Sequence, residues 1–272
     1  MVAAAAHRRF FFVHVMKTGG TSFVFQLSRN FEPDAVYPDA ALDRRSPTDA
    51  EPYASFTAVD RLPAERRAAI RIYTGHLPLV AREVMGPDLV TLTLLRDPVD
   101  RTVSVLKHFK RLWPRYADLA LDAIYDDELV FRHFVEHYQT RMFALSRADD
   151  THAFASVTDY GTLRAALDDP ARRADALGAG AVVTMDADRL ARAKQNLATV
   201  DVIGVNEAFD AFVAELRDGY GWWPSGERFD ARANISSEPW VASDALRERI
   251  ERDNQLDRAL YEHAVELIAA RR

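Results

Sequence analysis

"RFFFVHVMKTGGTSF", residues 9–23, decides the reading of this 272-residue chain. Phe10 to Val13, with Val15 beyond His14, predict a strand over 9–15 that is apolar on both faces, as in a parallel sheet. Lys-Thr-Gly-Gly-Thr-Ser follows at once. Adjacent glycines let a backbone turn sharply and bring its N–H groups close to a ligand. A helix opening near Thr21 or Ser22 would aim its positive end at the same point. A lysine and three hydroxyls beside such a turn are what an anion-cradling loop needs. The competing reading is an ordinary strand-to-helix turn with a Thr or Ser cap. The spelling is not that of a Walker loop, in which lysine follows the glycines. Here Lys17 precedes Gly19 and Gly20.

Outward from this stretch, further strands are predicted at 71–74, 89–95, 181–186 and 200–205. Helices are predicted at 98–112, 127–146, 159–175, 188–199, 206–218, 241–252 and 254–271. Strands alternating with helices indicate an α/β fold, a single domain with a central parallel sheet flanked by helices. Residues 32–62 have no clear period and read as a long irregular insertion, a kind of segment that often covers a ligand.

A second constellation is "LLRDPVDRTVSVLKHF", 94–109. Arg96 ends the strongest strand signal of the chain, at the carboxyl edge where α/β sheets bind ligands. Asp97 is placed to cap the next helix and Pro98 to occupy its first position. Ser104 follows two helical turns on. An arginine fork and a hydroxyl together can hold a phosphate.

Composition bounds the rest. Hydrophobic residues make up 48% and charged residues 28%, as in ordinary globular proteins. The net charge of −6 excludes the basic field of a general nucleic-acid binder. One local basic cluster, Lys107, His108, Lys110, Arg111 and Arg115, reads equally well as a solvated helix face. The chain has no cysteine, which removes disulfides, thiolate metal sites and cysteine nucleophiles, and fits a cytoplasmic location. No secretory leader is legible, and no apolar run approaches the ~18 residues of a membrane span.

Taken together, "VMKTGGTS" (15–22) and "LRDPVDRTVS" (95–104) resemble the two cofactor signatures of sulfotransferases that use 3′-phosphoadenosine 5′-phosphosulfate (PAPS). The similarity is greatest to the branch containing the heparan and uronyl 2-O-sulfotransferases and related bacterial enzymes. The resemblance implies a P-loop-like sulfotransferase fold. Lys17, Thr18, Gly19, Gly20, Thr21 and Ser22 would then hold the 5′-phosphosulfate, and Arg96 and Ser104 the 3′-phosphate. "YTGHLPL" (73–79) is similar to the family's Gly-His segment, which makes His76 the candidate base. His14, His108, His137 and Glu136 are its rivals. "HYQTRMF" (137–143) resembles a segment lining the cleft, so Gln139 and Arg141, with His108, are candidates for the acceptor side. "VIGVNEAFDAFVAEL" (202–216) looks like the family's strand-helix unit. "RANISSEP" (232–239) is placed like its late loop, implying cofactor contacts from Arg232, Asn234 and Ser236. Residues 32–62 and 114–130 match nothing in the family, and an acceptor would be read there.

The resemblance therefore implies sulfuryl transfer to a hydroxyl of a carbohydrate, glycolipid or small molecule, with the desulfated nucleotide (PAP) as product and no metal. Two other classes stay open. "AVVTMD" (181–186) imitates a Walker B strand ending in Asp186, which would suit an ATP-dependent phosphotransferase. A nucleotide-binding protein without turnover is the third.

Overall fold

The computed structural model describes residues 8–20, 23–24, 30–38, 59, 61–149, 166–178, 183–223 and 240–271. Its sheet has five strands: β1 Arg9–Val13, β2 Val36–Tyr37, β3 Ile72–Tyr73, β4 Leu89–Leu95 and β5 Val202–Val205. They lie in the order β2-β3-β1-β4-β5, and every pairing is parallel. The protein is thus an α/β domain with a parallel sheet flanked by helices.

The continuous apolar run of β1 is explained by burial on both faces. Phe10 and Phe12 belong to one core, with Leu92, Leu94 and Trp222, while Phe11 and Val13 belong to the other, with Leu95 and Val105. Each such side chain contributes roughly 1.5–3 kcal/mol of hydrophobic stabilisation before entropic costs. The register runs from Arg9 beside Leu89 to Val13 beside Thr93. It brings the chain leaving β1 and the chain leaving β4 out at the same edge of the sheet.

The six helices used below are α1 Pro98–Leu112, α2 Tyr138–Ala144, α3 Ala187–Ala198, α4 Phe209–Tyr220, α5 Asp244–Asp253 and α6 Gln255–Ala270. α1 starts as its sequence dictates. Asp97 accepts hydrogen bonds from the N–H groups of Val99 and Asp100 at 2.9 and 3.0 Å, and Pro98 fills the first turn.

Three expectations are corrected. First, the helix expected over 127–146 is broken. A short α-turn (Glu128–Val130) passes into a π-helical segment (Phe131–Val135), His137 adopts a left-handed φ of 48°, and α2 starts afresh. The carbonyls of the break are taken by buried arginines: Arg141 donates to Arg132 O and Glu136 O, each at 2.9 Å. Second, 183–186 is not a strand, and 181–182 lie outside the described residues. Asp186 instead caps α3, accepting from Arg189 N at 2.8 Å, and so is not a Walker B carboxylate at a strand end. Third, the irregular stretch 32–62 supplies a strand, β2, through Val36 beside Ile72 and Tyr37 beside Tyr73. Two residues are too few to show a period.

Candidate functional site

The loop after β1 is fixed from four sides. Thr18 is fully buried and donates its hydroxyl to Val15 O at 2.9 Å, closing the turn on itself. Asn206, just past β5, donates to Thr18 O at 3.0 Å. Arg101 on α1 donates through Nε to Met16 O at 3.2 Å. Arg96 reaches Lys17 O through Nη1 at 3.4 Å. The glycines are required by contact. Gly19 has φ +96°, and a Cβ there would lie 2.6 Å from Asn206 Nδ2. A Cβ on Gly20 would overlap the His14 ring. Lys17 itself is left-handed at φ 66°, which is uncommon for a residue with a side chain. Among the described residues, the N–H groups of Lys17, Thr18 and Gly19 find no acceptor.

Charge around this loop is one-sided. Burial, then Arg111, Arg96 and Arg101, push the Lys17 ammonium down to about 8. Among the described residues, none of Lys17, Arg96, Arg101 and Arg111 forms an ion pair with a carboxylate. Arg96 Nε and Arg101 Nη1 are buried donors that find no partner among the described residues. Buried cations and open donors carry a desolvation cost that a bound anion would relieve.

Arg101, Ser104, His108 and Arg111 fall at spacings of three and four on α1, so they form one stripe. The stripe runs from the core to the rim: Arg101 is buried, Ser104 and His108 are half-buried, and Arg111 is exposed. Arg111 donates to His108 Nδ1 at 3.3 Å. Burial, Lys17, Arg111 and His76 together lower His108 to about 3.

His76 donates from Nδ1 to the His14 carbonyl at 2.7 Å. A carbonyl only accepts, so the neutral ring carries its proton on Nδ1 and its basic lone pair on Nε2. Burial, opposed by that bond and reinforced by Lys17 and Arg101, lowers His76 to about 4. The His14 ring lies 4.2 Å from that of His76 and is held by Thr74 O at 3.2 Å. Burial, then His76, keep it well below the usual imidazole range. His14 therefore orients His76 and shapes the Gly20 backbone.

The structure thus brings Lys17, Thr18, Gly19, Gly20, His76, Arg96 and His108 to one edge of the sheet, with Ser104 on the same helical stripe. Gln139 and Arg141, expected on the acceptor side, are both buried and bond to backbone groups. Gln139 is fully buried and grips the backbone of Arg96, donating to its carbonyl at 2.8 Å and accepting from its N–H at 3.1 Å. Arg141 is buried in the π-helical break. His137 responds to burial, Asp257 and Glu136 rather than to Lys17. Trp222 and Trp223 are core residues beside Phe23. Thr21, Ser22, Arg232, Asn234 and Ser236 lie outside the described residues.

Four contributors were not singled out from the sequence as site residues: Arg101, Arg111, Asn206 and Asp257. The α1 stripe is the signal that would have found the first two. Asp257, buried on α6, accepts from Gln139 N at 3.0 Å and Thr140 N at 2.7 Å, and so caps α2. Through Gln139 it also fixes Arg96.

A surface groove of about 670 Å³ beside the start of α1 differs in kind. Most of its charges are paired, as in Arg258 with Asp97 at 2.7 Å and Arg247 with Asp100 at 3.0 Å. Among the described residues, no three His, Cys, Asp or Glu side chains converge as a metal site requires. None of their helices is long and apolar enough to cross a membrane. Compared with protein-family models and with curated proteins, the chain matches none.

Proposed function

We propose that the protein is a sulfotransferase of P-loop-like fold that moves a sulfuryl group from PAPS to a hydroxyl of a carbohydrate, glycolipid or small molecule. One observation carries this reading: where β1 and β4 end, backbone donors and four cations that find no partner carboxylate among the described residues meet, with a neutral histidine beside them. The charge suits a donor that carries one phosphate and one phosphosulfate. The buried Nε of Arg96, which finds no acceptor among the described residues, fits a bound anion.

The donor supplies an activated sulfuryl group on a phosphate leaving group. The loop N–H groups and Lys17 hold that phosphate, and the Lys17 ammonium stabilises the charge that grows on it. Arg96 and Ser104 hold the second phosphate. His76 takes the acceptor's hydroxyl proton at Nε2 as the new O–S bond forms and the bond from sulfur to the leaving oxygen breaks. The phosphotransferase reading is weaker, because Asp186 caps a helix instead of ending a strand.

Calorimetry with 3′,5′-diphosphoadenosine, followed by mass-resolved transfer from labelled donor to pooled hydroxyl acceptors, tests the proposal. Tight binding that survives a chelator, together with a mass gain of one sulfuryl group on an acceptor, is expected. A preference for ATP with Mg²⁺ would sink it. Nucleotide binding without transfer to any acceptor would favour the non-catalytic binding protein.

A further inference from the structure

Arg101 lies one turn into α1 and is completely buried. Its guanidinium spans two structures far apart in sequence. Nε donates to Met16 O at 3.2 Å, the carbonyl just before Lys17, and Nη2 donates to Phe134 O at 2.5 Å, inside the π-helical segment. The plane lies 4.3 Å from the Tyr138 ring centroid, at the start of α2. Nη1 is buried and finds no partner among the described residues. Holding two carbonyls while stacking on an aromatic ring needs a planar fork of donors, which lysine lacks.

We infer that Arg101 is a positioning residue: it clamps the Lys17 loop against the π-helical segment and so sets where the Lys17 ammonium stands. The Phe134 carbonyl, within the π-helical segment, anchors the far end of the clamp. The clamp has two separable components, the bridge between carbonyls and the positive charge beside Lys17. Loss of the charge frees Lys17 to hold its proton to higher pH; loss of the bridge alone misplaces the loop.

The inference rests on the proposed anion site, but its test has a readout that does not depend on nucleotide. Lys17 is titrated through the pH dependence of its acetylation by acetic anhydride, located by peptide mass spectrometry. Affinity for 3′,5′-diphosphoadenosine is measured in parallel. Wild-type Lys17 should titrate near about 8. Arg101→Met should move that midpoint upward, towards the ordinary lysine value, and weaken nucleotide binding about tenfold or more. Arg101→Lys keeps the charge and so should keep the low midpoint, yet bind nucleotide more weakly than wild type. A folded Arg101→Met protein with wild-type midpoint and affinity overturns the inference. If Arg101→Met does not fold, Arg101→Lys decides alone, and wild-type affinity in that variant overturns it. Should the wild-type protein fail to bind the nucleotide, the functional proposal falls, while an unmoved Lys17 midpoint in a folded Arg101→Met protein still overturns the placing of Arg101 beside the Lys17 ammonium.

Discussion

Lys17 is both strained and charged against its surroundings, in a left-handed conformation and pressed by three arginines. Its folded pKa is about 8, below the ordinary 10.5. The unfolded chain therefore binds the extra proton more readily between these values, and stability rises with pH across that window. Below it the full penalty applies, roughly 3 kcal/mol. Lys17→Met should then raise the melting temperature by a few degrees at pH 7 in buffer free of multivalent anions, while abolishing nucleotide binding. A lower melting temperature would mean that the ammonium is stabilised by a partner. His76 sets the other limit of pH. With its imidazole at about 4, the acidic limb of kcat/KM should fall near pH 4 rather than at the usual 6.5, and the alkaline limb near 8, set by Lys17. A bound nucleotide favours the ammonium, so the alkaline limb of kcat should lie higher still. His76→Ala should remove the acidic limb and cut turnover by ~10²–10⁴ while leaving nucleotide affinity near wild type. Loss of affinity as severe as that of Lys17→Ala would make His76 an anion contact instead.

Among the elements, α2 acts as a brace. Gln139 uses both ends of its amide on the backbone of Arg96 and touches no solvent. Gln139→Leu should weaken nucleotide binding several-fold without being near the nucleotide, because the Arg96 backbone would lose two hydrogen bonds worth about 1 kcal/mol each. Equal affinity in calorimetry would show that β4 alone holds Arg96 in place. This role was not legible in the sequence, where Gln-Thr-Arg on a helix reads as a polar face. Local chemistry was legible. Asp97 and Pro98 announce the start of α1, and Trp113-Pro114 its end, so its bounds at 98 and 112 follow from caps within the segment. Bounds set by distant partners were not. Nothing between 127 and 146 says that arginines at 101 and 141 will capture carbonyls and break the helix. The run at 181–186 looks like a strand, yet its described part, 183–186, leads into the cap of α3 at Asp186. Arg101 was hidden for a similar reason, since an arginine on an amphipathic helix is ordinarily exposed.

On the scale of the molecule, a chain of net charge −6 gathers Lys17, Arg96, Arg101 and Arg111 near one edge of its sheet, with no carboxylate paired to them among the described residues. Sulfate should therefore raise the melting temperature more than chloride at equal ionic strength, and the increment should vanish in Lys17→Met combined with Arg96→Met. An increment that persists in the double variant would place the anion elsewhere. The site also draws on the whole length of the fold. Arg96 is held by Gln139, Gln139 is capped by Asp257, and Asp257 lies on α6, the last helix described. Asp257→Asn replaces one of two carboxylate acceptors with a donor, and should destabilise the protein by about 1–3 kcal/mol in thermal unfolding. An unchanged melting temperature would show that α2 forms without this cap.

That reach from α6 back to the strand ends has a consequence for the order of events at the ribosome. Residues 9–23 emerge early, and Arg96 long before Asp257. A nascent chain lacking its last helix has the sequence of the cradle without the brace that aligns it. Under the proposed function, nucleotide meets a fully braced site only once α6 has packed against α2, and a chain that stops short of Asp257 binds nucleotide several-fold more weakly.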